Sequence, residues 1–204
     1  MLAVGAYLQF GNDHAGASTS PSSSVTPAPA ASTSPVGVVG RGAPESAQTS
    51  PSTSRTSTVR AGRPTGISIP QLDVSAPVVA IKAVHAALTP PSDPSMVGWW
   101  SAGAQPGAKR GSAVITGHTV HTGGGAFDNL GKLVPGSVVR VTTAHGQLQY
   151  RVATVTTYRK ATLAKRAAQV FDQSVRGRLV LVTCEDWNGE VYLSNVVVIA
   201  LPMA

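Results

Sequence analysis

The chain has 204 residues, 42% of them hydrophobic, a formal net charge of +7 and one cysteine, which is room for one ordinary domain and a tail. A single thiol excludes an intramolecular disulfide. The basic residues are scattered, with no run of five or six and no interleaved aromatics, so a nucleic-acid face has no support; attraction to an anionic wall or membrane surface suits the same charge.

Residues 1–10 (Met-Leu-Ala-Val-Gly-Ala-Tyr-Leu-Gln-Phe) are apolar. They are fewer than the about 20 residues a spanning helix needs, and they lack the basic lead-in of a signal peptide. We read them as the remnant of a membrane helix whose start lies upstream, which places the protein outside the cytoplasm, tethered at the cell surface. Residues 11–63 are Ser, Thr, Pro, Ala and Gly with almost no large apolar side chain. Such a stretch cannot recover an ordering entropy of about 1–2 kcal/mol per residue. It is expected to be a disordered linker or stalk.

The folded domain is expected over 64–204. Gly66 to Pro70 alternates and stops at a proline, as a short strand should. Ala76 to Ile81 is a second apolar run, with proline near its start, where a strand tolerates it. Pro90 to Pro94 is a loop, followed by Val97-Gly98-Trp99-Trp100. Ser112 to Thr116 is a strand running into Gly117-His118. Apolar residues at 127, 130 and 133 predict a short helix over Phe127–Leu133. Ser137–Thr142 and Leu148–Thr157 form a hairpin around His145-Gly146, and Ala161–Val170 is helical. Leu179–Thr183 and Tyr192–Leu201 are apolar strands joined across Asn188-Gly189, the strongest short hairpin-turn signal. Seven or eight regularly spaced strands with little helix predict an all-β barrel or sandwich.

Two segments carry chemistry-bearing residues. Val114-Ile115-Thr116-Gly117-His118 is a buried strand that ends by presenting a histidine. Leu181-Val182-Thr183-Cys184 is another that ends with the thiol. A thiol nucleophile needs a partner to manage its proton, and imidazole has the suitable pKa. A lone cysteine is more often a small buried hydrophobe, and a turn histidine is often satisfied by backbone. Among the other histidines only His121 rivals His118. His14 falls in the tail, His145 at a hairpin tip, and His85 has no polar company. A metal reading of His118 with His121 lacks a third and fourth ligand, and nothing calls for a cofactor.

Leu181-Val182-Thr183-Cys184 resembles the L-x-T-C signature of sortases, and Thr116-Gly117-His118 resembles their strand-end Gly-His. Phe127-Asp128-Asn129-Leu130 and Leu133 to Val139 resemble the family's short helix and the strand entry after it. Pro64 to Val79 followed by Gly98-Trp99-Trp100 is similar to class F sortases of actinobacteria. Together these segments span residues 60–201.

The resemblance implies an eight-stranded sortase barrel with one or two short helices. It implies a cysteine transpeptidase whose partners are a sorting-signal peptide with an L-P-x-T-G-like motif and an amine of the cell wall or a pilus. Cys184 would form a thioacyl intermediate. His118 would protonate the leaving amine and then deprotonate the incoming one. The family's last strand normally carries an arginine near the thiol; here Val191 to Val196 contains none. Asn195, ahead of Ser194, is the residue expected to donate a hydrogen bond in its place. The gap also supports an alternative, a non-catalytic or weakly hydrolytic peptide-binding module. An L,D-transpeptidase is disfavoured, because its cysteine sits in a turn rather than at the end of an apolar strand.

Overall fold

The computed structural model describes residues 60–84 and 87–203. The expected membrane remnant at 1–10, His14, His85 and nearly all of the expected linker lie outside the described residues. Eight strands follow in chain order: β1 (Pro64–Ile69), β2 (Val74–Ile81), β3 (Val97–Trp100), β4 (Ser112–Gly117), β5 (Val138–Thr143), β6 (Gly146–Arg159), β7 (Arg178–Trp187) and β8 (Tyr192–Pro202). One α-helix, α1 (Lys160–Val170), joins β6 to β7, and 3-10 turns occur at Pro70–Leu72 and Leu130–Lys132. The strands close into a barrel in the order β1-β2-β3-β4-β7-β8-β6-β5. Only β2–β3 and β4–β7 run parallel, and both need crossovers longer than a hairpin turn. Among the described residues no helix is long and apolar enough to cross a membrane.

Two apolar clusters explain the continuous hydrophobic runs of β4, β7 and β8. Ile115, Leu179, Leu181, Val196 and Val198 fill the barrel with Ile67, Ile69, Trp99, Val139, Val141 and Tyr150. On the outer face, Val114, Val180, Val182 and Val197 pack against Leu163, Ala167 and Val170 of α1, with Phe171 and Leu88. Strands covered on both faces cannot alternate apolar and polar residues, so their sequences read as unbroken apolar stretches.

Two expectations are corrected. The segment Phe127–Leu133 forms no α-helix but a turn with one 3-10 element at Leu130–Lys132. Phe127, Leu130 and Leu133 are all buried, and their spacing of three suits three residues per turn. Asp128 also holds this segment back against the preceding loop, accepting from Val120 N at 2.7 Å and Gly125 N at 3.0 Å. Secondly, the strand bearing the cysteine does not end there. β7 continues to Trp187 because β8 pairs with it out to Trp187 and Tyr192.

Candidate active site

The parallel register of β4 on β7 pairs Val114 with Val180 and Thr116 with Val182. Carrying it on by two residues brings His118 to the row of Cys184. Thr183 fixes this end of the pair. Its side chain is buried, and its Oγ1 donates to Gly117 O at 2.9 Å. With its proton given to that carbonyl, Thr183 Oγ1 accepts from Thr119 Oγ1 at 2.7 Å. The threonine before the cysteine thus ties the strand that carries the thiol to the strand that carries the histidine.

Gly117 is constrained from the other side. A Cβ there would lie 2.7 Å from Phe127 Cδ2 and 3.0 Å from Val97 Cγ1. Gly117→Ala is therefore expected to destabilise the fold by about 1–3 kcal/mol through overpacking, read in urea denaturation. It should also displace His118.

Cys184 is half-buried. It lies on the outer face of the barrel, in alternation with Val180 and Val182. Its cross-strand partner is Asn195, and Asn195 pairs in turn with Tyr158 of β6. Asn195 is 1% exposed. Its side-chain nitrogen donates to Thr183 O at 3.2 Å and lies 3.9 Å from Cys184 Sγ as a weak donor to sulfur. Burial pushes the Cys184 thiol up from its ordinary range, and the Lys160 ammonium offsets part of that rise.

His118 Nε2 is 2.7 Å from the carbonyl oxygen of Pro91. A carbonyl only accepts, so Nε2 carries the proton and Nδ1 is left to exchange one. Among the described residues no hydrogen bond joins this ring to the thiol. His121, the rival, is stacked on Trp187 with ring centroids 4.6 Å apart and planes 4° from parallel. Tyr192 leans on the same Trp187 at 4.9 Å.

Cys184 and Asn195 are thus brought together across β7 and β8, and His118 directly follows the end of the neighbouring strand β4. Two contributors escaped sequence reasoning. Pro91 acts through its carbonyl, to which its side chain gives no clue. Lys160 opens α1, directly after Arg159, the β6 residue that pairs with Ser194. Arg178, by contrast, is spent at the far end of β7, donating to Ser112 Oγ and to the carbonyls of Gln169 and Val170.

A sortase domain model matches residues 67–203. Solved structures with the same fold include sortase C-1 from Actinomyces oris, at 24% identity and a TM-score of 0.53, covering 68% of this chain and 73% of that one. A lid mutant of sortase A from Corynebacterium diphtheriae gives 23% identity and 0.55, covering 71% and 73%. Sortase C from Streptococcus pneumoniae gives 17% and 0.56, covering 70% of each chain. No curated protein matches the chain. With the family's domain covering most of its length on the expected closed barrel, this chain belongs to the sortase family, a family of cysteine transpeptidases.

Proposed function

We propose that the protein cleaves a sorting-signal peptide through a thioacyl intermediate on Cys184 and passes the acyl group to an amine of the cell wall or a pilus. The observation that carries this reading is the pairing of the molecule's one thiol with Asn195 on one side and the His118 row on the other. The thiol is activated by proton transfer to the imidazole. The thiolate then attacks the carbonyl carbon of the scissile peptide, and the leaving amine takes its proton from His118. The acceptor amine reverses these steps, with His118 now the base. Pro91 serves as the third group of the arrangement, since its carbonyl fixes the tautomer and the plane of the ring. Asn195, whose side-chain nitrogen lies 3.9 Å from Sγ at rest, donates on this reading to the carbonyl oxygen once the substrate carbon sits on sulfur.

The half-burial of Cys184 with its raised thiol pKa favours chemistry in which thiolate forms as substrate binds. The class F likeness and a cell-surface location remain our reading of the sequence motifs and the family. Mass spectrometry of the protein after incubation with a panel of sorting peptides tests the proposal. A mass increase of the peptide's acyl part on Cys184 is expected, released by an added amine. No adduct with any peptide would favour the non-catalytic module.

His121→Ala separates the two histidines. With its ring packed on Trp187 rather than offered to the thiol, its loss should leave peptide cleavage within about tenfold of wild type. This corresponds to less than about 1.4 kcal/mol of barrier. A loss matching that of His118→Ala would reverse the assignment.

A further inference from the structure

We propose that the end of the barrel opposite Cys184 is a docking face for the anionic phosphate headgroups of a membrane, and that docking there turns the thiol away from the bilayer. This goes beyond the chemistry at Cys184 and does not depend on it. Strand direction defines the two ends. β4 and β7 run parallel. β1 runs the same way, because it is antiparallel to β2, β2 is parallel to β3, and β3 is antiparallel to β4. These three strands therefore start at one end of the barrel. β7 starts at Arg178, and Cys184 lies about 20 Å further along it at a strand's rise per residue.

Cations gather at the starting end. Arg63 directly precedes β1, Lys109 and Arg110 lie just ahead of β4, and Arg176 lies just ahead of β7. Arg60 belongs with them: Gly62 N donates to Pro106 O at 3.1 Å, and a Cβ on Gly107 would lie 3.2 Å from Arg60 O. All five side chains are exposed. Backbone bonds join their segments, from Gly111 N to Val175 O at 2.8 Å and from Gly177 N to Lys109 O at 2.9 Å. These bonds make Arg110 and Arg176 opposed partners of an isolated antiparallel bridge, in the type of pair whose side chains stand closest. Like charges set directly opposite are destabilising. Among the described residues Asp172 is the only carboxylate at this end, and its Oδ1 accepts from Ser174 N and Oγ, both at 2.7 Å. The other described carboxylates (Asp73, Asp93, Asp128, Glu185, Asp186 and Glu190) lie in the connections or strand ends on the thiol side.

A face of one sign with like charges opposed suits a multivalent anion. Four of the five cations are arginines, whose planar fork matches phosphate oxygens in bidentate geometry. The path of the chain favours a membrane over a free polyanion. The chain enters the barrel through Arg60 to Arg63, at this end, and the sequence ahead of Arg60 carries the apolar run 1–10 that we read as the remnant of a membrane helix. The two ends are complementary to such a surface in opposite senses. Anionic headgroups attract the cationic end and repel the carboxylates around the thiol.

The test is co-sedimentation of the full chain with vesicles of phosphatidylcholine alone or of phosphatidylcholine with phosphatidylglycerol. Wild type should bind the anionic vesicles far better, and release from them as salt is raised, because salt screens surface charge. Each cation at an anionic surface is worth about fivefold in affinity, so Lys109→Gln/Arg110→Gln/Arg176→Gln should lose about 10²-fold. A charge-matched control, Lys132→Gln/Arg159→Gln/Lys165→Gln, changes exposed cations away from this face and should lose far less. Alkylation of Cys184 by iodoacetamide should run at the same rate with and without anionic vesicles, because the thiol faces water. Equal losses in the two triple variants, or wild-type binding that ignores phosphatidylglycerol, overturn the docking face. Protection of Cys184 by the vesicles overturns the orientation. Wild type that binds soluble polyglycerol phosphate but no vesicle overturns the membrane in favour of a wall polymer.

Discussion

His118→Ala should lower sorting-peptide turnover by about 10²–10⁴-fold, the share that a positioned acid–base group contributes. The imidazole has two tasks on this reading: protonating the amine that leaves and deprotonating the amine that arrives. Among the described residues the rival histidine, His121, is packed on Trp187 instead. The structural cost should be small. The variant loses one hydrogen bond, from Nε2 to Pro91 O, a net contribution of about 0.5–1.5 kcal/mol. Chromatographic assay of peptide cleavage with an added amine, alongside thermal unfolding, separates the two effects. A variant that keeps its melting temperature and its activity would remove His118 from the mechanism. A variant that keeps activity at high pH alone would instead show that solvent can replace the base.

Asn195→Ala should lower the single-turnover rate of Cys184 acylation by about 10²–10³-fold, the usual consequence of removing one oxyanion donor. Asn195 is fully buried between Thr183 O and the thiol, so this substitution also carries a stability cost. Leaving the Thr183 carbonyl without that donor is expected to cost about 1–3 kcal/mol. The rate must therefore be measured well below the melting point. Asn195→Asp should be worse on both counts. An ionised carboxylate only accepts, it would face both Thr183 O and the developing oxyanion, and a buried charge without a partner is costly. Acylation unchanged in Asn195→Ala would confine this residue to holding β7 against β8.

How much of this was legible beforehand follows from which signals are local. The long hairpin of β5 and β6 is announced by its own residues, with His145-Gly146 between two alternating runs. The turn between β7 and β8 is likewise local. Asn188 Oδ1 accepts from the backbone of Glu190 at 3.0 Å and of Val191 at 2.8 Å, which is the reason Asn-Gly marks turns. The unbroken apolar runs of β4, β7 and β8 told that these strands are buried, though not that two different clusters do the burying. Where local pattern misled, tertiary contact had overruled it. The spacing at 127, 130 and 133 fits a helix as well as a 3-10 turn, and the carboxylate of Asp128 settled the matter by binding the loop before it.

The identity of the chemical groups was carried by sequence alone. One thiol exists, so Cys184 is the proposed nucleophile, and Gly117-His118 at the end of a buried strand offered its proposed partner. That their strands lie side by side was decided by the parallel register of β4 on β7, two strands separated in sequence by β5, β6 and α1. No local periodicity encodes that register, because it is set by closure of the barrel and by the Thr183 hydroxyl on Gly117. The same holds for the Pro91 carbonyl on His118. A backbone oxygen has no residue-type signature, so the amino-acid sequence does not point to it.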